Sequence, residues 1–97
     1  MDDGGMNIRV LLRVRGMVQG VGFRYWTRAR AVELSLGGYV RNLPDGSVEA
    51  MLRGPADSVE LLMKQMTRGP SHAVVRGIEV LEREKTQEAV GEFRISR

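Results

Sequence analysis

The segment richest in chemical possibility in this 97-residue chain is Gly16-Met17-Val18-Gln19-Gly20-Val21-Gly22-Phe23-Arg24. Gly16, Gly20 and Gly22 free the backbone for positive φ and remove side chains that would block close approach. Successive N–H groups can then face one concavity, a nest for an anion. A helix predicted to begin near Phe23 adds its free N–H groups and the positive end of its dipole. Arg24 falls in the first turn of that helix. A cation there opposes the dipole, typically by a few tenths to about 1 kcal/mol. An anion held between the guanidinium and the amides offsets that cost through paired, charge-assisted hydrogen bonds. Asn42, just before Pro44-Asp45-Gly46, is the second residue of interest, because a neutral amide can orient a water molecule. Each feature also has a plainer explanation. The glycines suit a tight strand-to-helix turn with Arg24 solvated beside it, and an Asn before Pro-Asp-Gly suits turn capping. Spacing alone leaves both readings open.

The other residue types exclude much. The absence of cysteine rules out disulfides, a thiol nucleophile and thiolate metal sites. The single histidine, His72, lies far in sequence from both motifs and reads as a surface loop residue, so a multi-histidine metal site has no ligands. No metal site and no cofactor are expected. The formal net charge is +3, and every cation except Lys64 and Lys85 is Arg. Arg suits phosphate and carboxylate geometry, so anions in general are better indicated than nucleic acid. No apolar run approaches the roughly 20 residues needed to span a bilayer. The acidic, Gly-rich start from Met1 to Asn7 does not resemble a signal peptide, so a cytoplasmic location is expected. Residues 1–6 read as a disordered tail and residues 7–97 as one domain.

Arg24 and Asn42 can act together only if the fold joins them. Ile8, Val10, Leu12 and Val14 alternate with Arg9, Leu11, Arg13 and Arg15, the period-two pattern of a strand with one buried face. The glycine loop follows. Phe23, Thr27, Ala31 and Leu34 recur at helical spacing, and Gly37-Gly38 is expected to end that helix. Tyr39–Leu43 and Ser47–Arg53 read as strands joined by the Pro44-Asp45-Gly46 turn. Pro55 opens a second helix to about Thr67, with Val59, Leu62, Met63 and Met66 on one stripe. Val74–Arg83 reads as a strand with a bulge at Gly77, Lys85–Gly91 as a loop, and Phe93–Ser96 as a short terminal strand. The fold class predicted is α+β. It is a ferredoxin-like βαββαβ sandwich, with a mostly antiparallel sheet, two helices on one face and an extra C-terminal edge strand. The first two strands, joined by a helix, run parallel, so their C-terminal ends share one edge of the sheet. The glycine loop and Asn42 can meet there.

Two stretches also resemble a known family, the acylphosphatases. Gly16 to Arg24 matches a VQGVxFR loop, and Gly38-Tyr39-Val40-Arg41-Asn42-Leu43-Pro44-Asp45-Gly46-Ser47-Val48-Glu49-Ala50 matches a G-aromatic-V-x-N-x-x-DG-x-V-E hairpin. Gly54-Pro55 and Phe93 to Arg97 extend the similarity, which runs from about Ile8 to the end. Tyr39 stands where many members carry Trp. The resemblance implies hydrolysis of a carboxyl–phosphate anhydride to a carboxylate and inorganic phosphate, with small acyl phosphates as substrates. It implies that Met17, Val18, Gln19, Gly20, Val21, Gly22 and Phe23 cradle the phosphoryl group with backbone amides. Arg24 would grip that group and Asn42 would orient the attacking water. Inorganic phosphate or other anions would occupy the same loop.

Two other functions compete. Ferredoxin-like sheets also bind RNA, but the outward positions of strands one and three offer no aromatic for base stacking. A domain that senses an acyl phosphate without turning it over would use the same loop. Trp26 reads as packing, Thr27 as either packing or a buttress of the loop, and the methionines as core filler. With no surplus apolar face in the pattern, a monomer is expected.

Overall fold

The computed structural model describes residues 7–97, and the tail expected at residues 1–6 lies outside them. The elements follow in the order β1 (Asn7–Met17), α1 (Phe23–Glu33), β2 (Gly37–Asn42), β3 (Val48–Pro55), α2 (Ala56–Met66), β4 (Val74–Thr86) and β5 (Phe93–Ile95). One five-stranded sheet has the order β4-β1-β3-β2-β5. β1 and β2 both pair antiparallel with β3, so they run parallel to each other, and β5 adds to β2 in parallel. This is the ferredoxin-like α+β arrangement expected from the periodicity.

The alternation in β1 places Val10, Leu12 and Val14 in the core, fully buried. Their neighbours across the ladder, Leu52, Ala50 and Val48, are equally buried. Both helices cover that face: Phe23, Thr27 and Ala31 of α1 and Val59, Leu62 and Met66 of α2 are the buried stripes. Helix α1 packs on β2 and β5, and α2 on β1 and β3. Residues that recur three and four apart thus meet residues that recur every second position, and each side removes the other from water.

The opposite face is open and carries Arg interleaved with Glu, with Arg9 also opposite Arg53. Arg9 sits opposite Glu84, and Arg13 lies between Glu79 and Glu49. Arg41 donates to Glu49 at 2.8 Å. The face also carries an aromatic that the expectation from strands one and three did not include. Tyr39 of the inner strand β2 sits opposite Met51, and its hydroxyl donates to Glu49 at 3.1 Å. Burial, then the Glu49 carboxylate, push the Tyr39 phenol above its ordinary pKa.

Three local expectations are corrected. Helix α1 ends before Gly37-Gly38, at a Schellman motif built on Ser35, which takes φ 57°. The Leu36 N–H donates to Ala31 O at 2.8 Å and the Ser35 N–H to Val32 O at 3.1 Å. Gly37 and Gly38 begin β2 instead, where a Cβ on Gly38 would lie 1.8 Å from the Met51 carbonyl oxygen. β4 runs to Thr86, past the expected end, because β1 offers pairing partners as far as Asn7. Its register slips at two places, leaving Leu81 and Arg76 as the extra residues and Gly77 beside one of them.

Candidate active site

The ladder fixes the distance between the two motifs. Val14 and Asn42 both pair with Val48, so they share one row of the sheet with β3 between them. At a strand spacing of about 4.8 Å, their Cα atoms lie roughly 10 Å apart. β1 continues past Val14 to Met17, and the chain then turns into α1. Gly20 (φ 76°) and Gly22 (φ 80°) make that turn in the left-handed region, with Gly22 as the helix N-cap.

The loop is tied to the hairpin by a side chain. Gln19 Nε2 donates to the carbonyl oxygens of Leu43 and Ser47, at 2.8 Å each. Those two residues bracket the turn that follows Asn42. Asp45 holds the turn from within, accepting from the Ser47 N–H at 3.0 Å and from its hydroxyl. These Ser47 bonds, side chain first, keep the Asp45 carboxyl below the usual range.

The N-terminus of α1 lacks ordinary stabilisers. Its N-cap Gly22 makes no side-chain capping bond, and no acidic residue occupies the first turn. Helix α2, by contrast, carries Asp57 in its first turn and Lys64 in its last, as the dipole favours. Trp26 is the first residue of α1 with a backbone acceptor, Gly22 O at 2.9 Å. Among the described residues, no backbone oxygen accepts from the amides of Gln19 through Tyr25. At the last two of these residues opens a cleft of about 710 Å³, lined by Arg24, Tyr25, Arg28, Asn42 and the segment Ile95–Arg97. Arg24 and Asn42, brought from a helix and a strand, therefore face one space. Arg24 forms no ion pair among the described residues. The Asn42 Oδ1 atom is buried without a hydrogen-bond partner.

The remaining expected residues are distributed more widely. Met17 is the last residue of β1, exposed and paired with Val74. Val18 and Phe23 bury their side chains in the core. Gly20, Val21 and Gly22 form the turn itself. Of residues 17–24, only Arg24 lines the cleft with Asn42. Any contact of the others with a ligand would come from their main chain. Among the described residues, no three His, Cys, Asp or Glu side chains converge as a metal site would need, and no helix is long and apolar enough to cross a membrane.

A family model described as Acylphosphatase matches residues 10–95. The chain belongs to the acylphosphatase family. It is 50% identical to an acylphosphatase of Caldivirga maquilingensis over 88 residues, covering 90% of this chain and 93% of that protein. The crystal structure of acylphosphatase from Bacillus subtilis superposes with a TM-score of 0.87 at 31% identity, covering 93% of this chain and 99% of the other. The structure of an acylphosphatase from Coxiella burnetii gives 0.84 at 34% identity, covering 99% and 100%.

Within this family member, sequence reasoning missed the cleft's second half: Tyr25, Arg28 and the segment Ile95–Arg97. One signal was available for Arg28, since it follows Arg24 by four residues and so shares its helix face. The C-terminal segment had none, because its place depends on β5 joining β2 in parallel. The Ser96 N–H donates to Val40 O at 2.8 Å and carries that segment to the sheet edge where Asn42 lies. The side-chain tie made by Gln19 was missed as well; the motif suggested only a backbone amide at that position.

Proposed function

We propose that the cleft takes the phosphoryl end of an acyl phosphate, and that the loop, Arg24 and Asn42 carry out its hydrolysis. The meeting of Arg24 and Asn42 in one cleft, beside amides without backbone acceptors, carries this reading. The amides of residues 17–23 and the N-terminus of α1 bind the phosphoryl oxygens, and Arg24 binds them in a bidentate manner. The Asn42 amide holds a water on the face opposite the leaving group. The water oxygen forms a bond to phosphorus as the bond from phosphorus to the acyl oxygen breaks, and that electron pair leaves on the carboxylate. A carboxylate needs no proton to depart at neutral pH, its ordinary pKa being about 4. Among the described residues, no carboxylate or imidazole side chain lines the cleft. The water's proton therefore passes to a phosphoryl oxygen. The acyl phosphate dianion and water give a carboxylate and dihydrogen phosphate. Such a transfer depends chiefly on positioning and on stabilising the equatorial oxygens, which amides and one guanidinium provide.

The same reading takes residues 7–97 as one domain acting as a monomer on a small molecule. Glu49, Glu79 and Glu84 set among the arginines of the open sheet face disfavour a nucleic-acid partner. The cysteine-free sequence fits a cytoplasmic setting.

The test is hydrolysis of benzoyl phosphate with a metal chelator present. Turnover is expected from the wild type. Loss of a preformed donor to the transition state costs about 2.7–4 kcal/mol, so Arg24→Ala should be slower by about 10²–10³-fold. Asn42→Ala should fall by a similar order. Phosphate binding by a folded, inactive wild type would favour the sensing domain instead.

A further inference from the structure

The reaction just described leaves two guanidinium groups of the cleft without a role. Arg28 follows Arg24 by one turn, about 6 Å along the axis of α1. Its Nε donates to the Phe93 carbonyl of β5 at 3.3 Å. That bond steadies the side chain and leaves both terminal NH2 groups for a ligand. Arg97 reaches the same cleft from the segment after β5. Neither forms an ion pair with a described residue. No acidic side chain among the described residues lines the cleft, so three guanidiniums surround one space of about 710 Å³. A short, uncharged acyl group touches neither Arg28 nor Arg97 usefully, and like charges left together repel.

We propose that Arg28, assisted by Arg97, forms a subsite for a second anionic group at the far end of the acyl chain. The favoured substrates are then acyl phosphates that carry an additional carboxylate. This rests on the phosphoryl group lying at Arg24. The helix sets the length: about 6 Å is spanned by roughly five single bonds of about 1.5 Å in an extended zigzag. The mono-acyl phosphate of a four-carbon dicarboxylic acid has five bonds between its phosphorus and its distal carboxylate carbon.

Two stable phosphonates test this as competitive inhibitors of benzoyl phosphate hydrolysis. 5-Phosphonopentanoate places five bonds between phosphorus and carboxylate carbon, and pentylphosphonate replaces that carboxylate with a methyl group. The wild type should bind the carboxylate compound about fivefold more tightly, the scale of a part-exposed guanidinium–carboxylate contact. Arg28→Ala should bring the ratio close to one. Arg28→Gln, which keeps most of the stem, should do the same if Arg28→Ala is unstable, and Arg28→Lys should restore part of the ratio. Arg68→Ala removes an equal charge from a separate groove beside α2 and should keep the wild-type ratio. Equal inhibition of the wild type by both phosphonates overturns the subsite, and so does an equal loss in Arg68→Ala, which would trace the preference to overall charge. If neither phosphonate competes with benzoyl phosphate, the phosphoryl site at Arg24 has itself been misassigned.

Discussion

Replacing Gln19 by Leu separates its two possible contributions, because the backbone amide stays and the side-chain tie is lost. That tie consists of two bonds of 2.8 Å, to Leu43 O and Ser47 O. A bond between neutral groups contributes about 0.5–1.5 kcal/mol net, and an orphaned buried carbonyl costs more. Neither carbonyl becomes an orphan here. Leu43 O also accepts from the Gly46 N–H at 3.1 Å, and Ser47 O from the Leu43 N–H at 2.9 Å. The loss of stability should therefore stay near the lower end, about 1–2 kcal/mol, or roughly 5–15 °C in Tm for a domain of this size.

The effect on catalysis should be larger than that figure suggests. Gln19 holds the loop that leads to Arg24 against the hairpin that carries Asn42, and a misplacement of about 1 Å can cost on the order of 10² in rate. We expect kcat/KM for benzoyl phosphate to fall about 30- to 100-fold at a temperature where the variant is fully folded. Gln19→Glu adds a pH readout. A carboxylate facing two carbonyl oxygens is disfavoured, so its folded pKa lies above the unfolded value. Activity and stability of this variant should recover relative to the wild type as pH falls through that pKa, because the protonated acid donates one bond again. A folded Gln19→Leu enzyme within threefold of the wild-type rate would refute the reasoning, since loop and hairpin would then hold their places independently.

Two further predictions concern the scaffold. Ser35 ends α1 at φ 57°. An L-residue there costs about 1–2 kcal/mol, and the greater unfolded-state freedom of glycine takes back about half of that. Ser35→Gly should thus raise Tm by a few degrees in thermal unfolding, and a lower Tm would show that the serine makes a compensating contact. For Asp45, the folded pKa is depressed by the bonds from Ser47, so its contribution is complete above the unfolded value and is lost as pH falls through the lower folded one. Asp45→Asn should flatten the acid limb of the stability curve in urea unfolding between pH 5 and 2, and an unchanged limb would count against the turn's role.

The parts of this molecule legible in its sequence are those governed by local pattern. The alternation in residues 8–14 and the stripe Val59, Leu62, Met66 each report a buried face directly, because burial has the period of the element. The two motifs were legible for the same reason: glycines declare their backbone, and Arg24 at a helix start is locally anomalous. What escaped depends on partners far along the chain. Gly37-Gly38 has the local signature of a helix end, yet Ser35 takes the left-handed position, and the two glycines serve close approaches of the Val90 carbonyl to Gly37 and of β3 to Gly38. The end of β4 is set by the length of β1. The approach of Ile95–Arg97 to the cleft is set by a parallel pairing that no local signal encodes.

The way the site is held explains why one side-chain tie matters so much. Arg24 belongs to α1, whose buried stripe Phe23, Thr27 and Ala31 anchors it to the core. Asn42 ends β2, and the ladder through Val48 to Val14 fixes it. Each side is stiff by itself, but the loop from β1 into α1, with Gly20 and Gly22 in it, adds little rigidity of its own. Val18 and Val21 pack the loop against the core, but neither reaches across to the hairpin. Gln19, the only polar side chain in residues 17–23, supplies the missing constraint by spanning to the hairpin. If the loop cradles the phosphoryl group as proposed, replacing this one amide spares every backbone donor and still disables the site.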